Sequence, residues 1–124
     1  MQKLLLIAVA GGLGTLARYG LGGVVQQNYG KLFPWGTVVV NLLGCLAFGV
    51  ICSALEELWP ASGLSRAILL IGFMGGFTTF STYMFETHRL LADAQWLPAV
   101  GYFTFHNVGG FAAMVAGLAL GRLL

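Results

Sequence analysis

The segment Gly72-Phe73-Met74-Gly75-Gly76-Phe77-Thr78-Thr79-Phe80-Ser81-Thr82-Tyr83 decides the fold of this 124-residue chain. It lies in an uncharged run, residues 67–85, close to the ~20 residues that cross a hydrocarbon core. Yet it is a poor continuous helix, because paired glycines followed by Thr-Thr and Ser-Thr join weak helix formers to side chains that bond their own backbone. A membrane helix broken between Gly75 and Thr79 is expected, with a half-helix on either side. Unwound backbone at membrane depth is tolerated only where it is buried in protein or lines a watery cavity. Freed carbonyls there can hold a cation, whereas freed N–H groups and hydroxyls can face an anion. The alternative is that Gly72 and Gly76 form a small-xxx-small pair for close helix contact.

Outward from this segment, the charges mark further spans. Residues 32–55 and 94–121 carry none, and the opening run, 4–25, is interrupted only by Arg18. With 58% hydrophobic and 8% charged residues and a mean hydropathy of +0.87, the chain belongs in lipid. The expectation is an all-α membrane protein of four transmembrane helices. A single domain covers 1–124, with helices near 3–26, 33–56, 64–92 (with the break) and 96–123. The short connections leave no room for a catalytic domain. Lys3 before an apolar run ending in Ala8-Val9-Ala10 has the form of a cleavable signal, but the pattern continues to Val25, so an uncleaved first helix is expected. Cys45 and Cys52 are seven residues apart on one helix and too distant to bridge within it; they read as packing residues. The small, scattered net charge of +2 argues against nucleic acid.

With both termini on one side, Lys3, Arg66 and Arg122 face Arg18, Lys31 and Arg89 across the membrane. The positive-inside rule then has no preference, and insertion in both orientations is expected. Arg18 counts outward because it can snorkel to the far interface. Four helices make a thin wall for a transport path, so mixed insertion points to an antiparallel two-fold dimer.

The first span is rich in glycine and reads as a packing helix. In the second, Thr37, Asn41 and Gly44 share a face. Asn41 either makes an interhelical hydrogen bond that holds the bundle or donates its amide to a passing anion. In the third, Phe80 and Tyr83 share one face, beside Thr78, Thr82 and Glu86; such an aromatic pair either packs in the core or turns its ring edges, which carry positive partial charge, toward an anion, and Glu86 either joins the hydroxyl track or is a solvated helix end beside His88 and Arg89. In the fourth, Thr104, His106 and Asn107 either line a vestibule or satisfy neighbours. No nucleophile triad, metal cluster or phosphate loop is present in the sequence, so an enzyme is not expected.

These motifs resemble the Fluc or CrcB-like dual-topology fluoride channels. The resemblance runs along most of the chain: Gly11-Gly12 to Arg18, Gly36-Thr37, Val40-Asn41 and Gly44, and the whole segment from Gly72 to Thr82. It implies an antiparallel homodimer with two pores, in the cell's inner (plasma) membrane. Fluoride would pass down its gradient out of the cell, giving fluoride resistance with no energy source. Asn41, Phe80 and Tyr83 would line the pore, and Thr37, Ser81, Thr82 and Glu86 would form polar tracks beside it. Arg18 would belong to a vestibule, and the backbone carbonyls of Gly75 and Thr78 would hold a structural sodium ion at the dimer centre. Such a pore must replace much of fluoride's water shell with amide, hydroxyl and ring-edge donors.

Two departures from the family pattern stand out. Tyr83 replaces a phenylalanine, adding a hydroxyl that blocks, binds or re-aims the path. Phe111 and Val115 stand where many members have hydroxyl side chains, which implies slow conduction or a paralogous partner that completes the pore. The alternatives are a small multidrug-type proton-coupled cation exporter, which wants a carboxylate that the first span lacks, and a non-conducting membrane scaffold related to the channels.

Overall fold

The computed structural model describes residues 1–30, 32–57 and 63–124; Lys31, counted among the balanced charges, lies outside them. Four helices, Gln2–Tyr29, Trp35–Glu56, Gly63–Ala92 and Trp96–Gly121, are long and apolar enough to cross a membrane. No strand occurs among the described residues.

The third span is broken, as its composition requires. Helix runs through Gly75–Phe77 and resumes at Phe80–Ala92. Between them Thr78 (φ −84°, ψ 158°) and Thr79 (φ −148°, ψ 116°) are extended. The break therefore falls at the far edge of the expected stretch, and Gly75 and Gly76 stay helical. Gly72 and Gly76 serve contact rather than unwinding. A Cβ on Gly76 would run into the Gly11 carbonyl, and one on Gly72 would lie 2.9 Å from the Ala10 Cβ and 3.0 Å from the Ile7 oxygen. From the other side, a Cβ on Gly14 would strike the Phe73 carbonyl. The broken helix and the small-residue contact are both present, carried by different residues.

The second and fourth spans meet in the same manner: a Cβ on Gly49 would lie 2.5 Å from the Met114 oxygen, and one on Gly121 2.7 Å from that of Val50. Small residues let the backbones approach where lipid supplies no hydrophobic drive. Two apolar clusters flank the break. Val40, Met74 and Phe77 pack with Ala17, Leu21 and Phe48 on one side; Val38, Tyr83, Leu90, Ala99 and Tyr102 pack with Phe33 and Trp35 on the other. Wide π turns replace regular helix at Ala67–Met74 and Phe105–Gly109, a feature common at functional sites.

The connection between the first two spans is stapled by Gln26. Its Nε2 donates to the carbonyls of Gly30 (2.8 Å) and Phe33 (3.1 Å), and its Oε1 accepts from the Gly36 N–H (3.1 Å). Gly30, at φ 114°, turns the chain out of the first helix in a conformation that needs glycine.

Candidate functional site

The site is built around the break. Asn41, on the second span, meets Thr79 twice: its Nδ2 donates to the Thr79 carbonyl (2.9 Å), and its Oδ1 accepts the Thr79 N–H (2.8 Å). One amide thus replaces both helical partners of an extended residue at membrane depth, where an unpaired backbone group is costly. Asn41 holds the bundle together, and among the described residues one of its two amide hydrogens has no acceptor. Thr79 then starts the second half-helix: its Oγ1 accepts the Thr82 N–H (3.3 Å) and donates to the Thr82 hydroxyl (3.0 Å), an N-cap arrangement.

These bonds have a consequence for the carbonyls. In a regular helix the Gly75 oxygen would accept from Thr79 N–H and the Thr78 oxygen from Thr82 N–H. Both donors are bonded elsewhere, to Asn41 and to Thr79 Oγ1.

Two cavities meet at Thr79. The wider, about 770 Å³, is lined by Arg18, Thr37, Thr79, Thr82 and Glu86, with Gln26, Arg89 and Asp93 also on its wall. The narrower, about 320 Å³, is lined by Asn41, Thr78, Thr79, Phe80 and Tyr83, with Cys45, His106 and Asn107. The residues singled out in the sequence therefore separate into a charged, hydroxylated chamber and an amide-and-ring chamber. Ser81 lines neither; it is exposed on the outer surface, with its hydroxyl 3.4 Å from Thr79 Oγ1. Gly75 is exposed as well.

Phe80 and Tyr83, expected to share a face, touch edge to face at 5.5 Å but differ in setting: Phe80 is 72% exposed and Tyr83 only 3%. Tyr83 is drawn under the fourth span. Its ring stacks on His106 at 4.2 Å, and its hydroxyl accepts from Asn107 Nδ2 at 2.8 Å. His106 and Asn107 both sit in the π turn Phe105–Gly109. His106 Nδ1 is 3.0 Å from the Tyr102 carbonyl.

The sequence reading missed Tyr102. It is fully buried, and its hydroxyl donates to Glu86 Oε2. A tyrosine inside an apolar run needs a partner for its hydroxyl, and Glu86, at the end of the neighbouring span, was the signal available. Phe111 and Val115, 72% and 49% exposed, face outward and line neither cavity. Of the polar groups on the fourth span, Tyr102, His106 and Asn107 bond or stack with the third span, whereas Thr104 is exposed, donates to the Val100 carbonyl (2.8 Å) and lines neither cavity.

Residues 5–118 match the family described as CrcB-like protein, Camphor Resistance (CrcB). Similar proteins include the fluoride-specific ion channel FluC of Solidesulfovibrio magneticus, 52% identical over 124 residues, which are 100% of this chain and 99% of that one. Those of Desulforapulum autotrophicum and Nitrosococcus oceani are 47% and 46% identical, each match covering 99% of this chain and 98% of the relative. Taken with four spans of which the third is broken, these matches show that the chain belongs to the CrcB-like family of multi-pass membrane proteins.

Proposed function

We propose that this chain is a fluoride-selective channel of the inner membrane that lets cytoplasmic fluoride leave passively, giving fluoride resistance. The observation that carries the reading is full-length similarity, up to 52% identity, to proteins named as fluoride-specific ion channels. Those relatives are channels, not enzymes, and this chain's geometry suits the same task. Fluoride is small and strongly hydrated, so a path must offer donors in place of water. The narrow chamber offers the spare Asn41 N–H and the Phe80 ring edge beside Tyr83. The wide chamber offers Thr37 and Thr82, with Arg18 to raise the local anion concentration. Glu86 sits there with one oxygen engaged by Tyr102, and Ser81 extends the hydroxyl track to the outer surface.

The functional unit in this reading is an antiparallel homodimer. Ser81, Asn107 and the backbone at Gly75 are exposed on the single chain at membrane depth, where polar groups belong against protein or water rather than lipid. A second copy would cover them. The balance of positive charges favours both insertion orientations.

A structural sodium ion at the dimer centre fits the donor set. Gly75 and Thr78 present carbonyl oxygens whose helical N–H partners are diverted, the kind of freed acceptor that coordinates sodium in discontinuous membrane helices. Two such carbonyls per chain are too few alone, so the site needs both copies. The ion would supply a fixed positive charge between the two halves.

The test is efflux from liposomes holding the purified protein alone, followed with a fluoride electrode while chloride efflux is run in parallel. Rapid fluoride release with chloride retained is expected. A folded, dimeric and silent preparation would point instead to a missing paralogous partner or a non-conducting relative.

A further inference from the structure

The phenolic hydroxyl of Tyr83 has one bond whose direction can be fixed. Asn107 Nδ2 lies 2.8 Å from the Tyr83 oxygen and 2.8 Å from the Phe103 carbonyl oxygen. A carbonyl only accepts, so the atom facing it must be the amide nitrogen, and the side chain cannot be turned about without setting oxygen against oxygen. Both hydrogens of the Asn107 NH2 are then spent, one on Phe103 and one on Tyr83. It follows that the Tyr83 oxygen accepts, and that its own proton is not used in this bond. No other group among the described residues accepts that proton.

We infer that Tyr83 donates its phenolic O–H to the anion in the narrow chamber, with Asn107 and His106 as the residues that position it. This rests on the fluoride reading above and deepens it, by assigning the added hydroxyl the role of a donor rather than a plug. Three features support the assignment. Tyr83 lines the same chamber as Asn41, whose second amide hydrogen is likewise unspent. The ring cannot turn the hydroxyl away easily, because His106 stacks on one face at 4.2 Å with only 15° between the planes, and Tyr102 and Phe80 abut it at 5.6 and 5.5 Å. His106 is itself held through Nδ1 at the Tyr102 carbonyl, so the stack is anchored to the fourth span. Asn107, by donating to the phenol oxygen, also polarises the O–H and strengthens it as a donor.

The chemistry explains why such a group suits fluoride. A neutral hydroxyl donor replaces one water of hydration without the full positive charge that would trap the ion. A hydrogen bond to a charged group contributes more than one between neutral partners, so removing it should be visible in affinity. Tyr83→Phe removes only the oxygen and restores the residue that the resemblance leads one to expect at this position.

The experiment measures fluoride efflux from liposomes against fluoride concentration for the wild type, Tyr83→Phe, Asn107→Leu and the double variant. Each protein's elution on size exclusion serves as the check on folding. The half-saturating fluoride concentration should rise ~10-fold in Tyr83→Phe, equivalent to about 1.4 kcal/mol. Asn107→Leu should raise it by a comparable factor, and the double variant should go no further than Tyr83→Phe, since Asn107 acts through the phenol. A purely structural role would lower the maximal rate and leave half-saturation where it was. An unchanged half-saturation in Tyr83→Phe overturns the proposal, and so do fully additive effects in the double variant. If the wild type itself releases no fluoride, the failure lies with the channel reading.

Discussion

Before the break, the third span is fixed by backbone lying against backbone; after it, by side chains reaching across. Gly72 and Gly76 let the first half press onto the first span at Ile7, Ala10 and Gly11, with Gly14 receiving Phe73 in return. The second half is held by Asn41 at its start, by Asn107 at Tyr83, and by Tyr102 at Glu86. In the proposed reading the contrast separates framework from path. Close glycine contacts form a rigid seam with no room for a ligand. Polar cross-links leave hydrogen-bonding capacity beside open space, and both cavities lie along this second half.

If that division is right, a bulky residue in the seam should do more damage than any change in the path. Gly14→Leu should give the largest effect. Its side chain has to enter the Phe73 backbone, and overpacking of this kind costs about 1–3 kcal/mol or more. The expected outcome is loss of a monodisperse peak on size exclusion. A well-folded Gly14→Leu would show that the seam yields, and would dissolve the comparison.

In the path, Phe80→Ile should lower fluoride efflux by roughly tenfold, about 1.4 kcal/mol, while leaving elution unchanged, because Phe80 is 72% exposed on the single chain. Failure to fold would return Phe80 to the framework. Tyr102→Phe should act more mildly. It leaves Glu86 Oε2 without its donor in the wide chamber, and the loss of such a bond is worth about 1.5–3 kcal/mol when the acceptor is charged, reduced here because Glu86 is only half-buried. The expected result is a severalfold drop in efflux with a modest fall in melting temperature. No change in either would detach the Tyr102–Glu86 pair from the path.

Much of this was legible in the sequence, for physical reasons. The spans follow from charge spacing, and Asn41 stands out as a strong polar group in an otherwise apolar helix. The break was legible too, but its position was not. Gly75, Gly76, Thr78 and Thr79 are all weak in a helix, and the choice among them depends on where the Asn41 amide can reach. Of the two roles weighed for Asn41, the structure shows the interhelical bond, in which the amide ties down Thr79. Equal placement of Phe80 and Tyr83 on one face failed to anticipate their different burial, since that depends on where His106 and Asn107, in the π turn Phe105–Gly109, meet the Tyr83 ring and hydroxyl. Helical periodicity assumes regular turns, so it could not reveal that shift. Tyr102 escaped notice for a related reason, its partner lying on another span.

The central claim is that the break held by Asn41 forms part of a fluoride path. Its most direct test is fluoride release from liposomes holding Asn41→Asp beside the wild type, with equal reconstitution and matched elution. The aspartate can still accept the Thr79 N–H, but as a carboxylate it donates nothing to the Thr79 carbonyl and places negative charge beside the narrow chamber. The account predicts that wild-type vesicles empty of fluoride while Asn41→Asp vesicles retain it; equal release from both would contradict it.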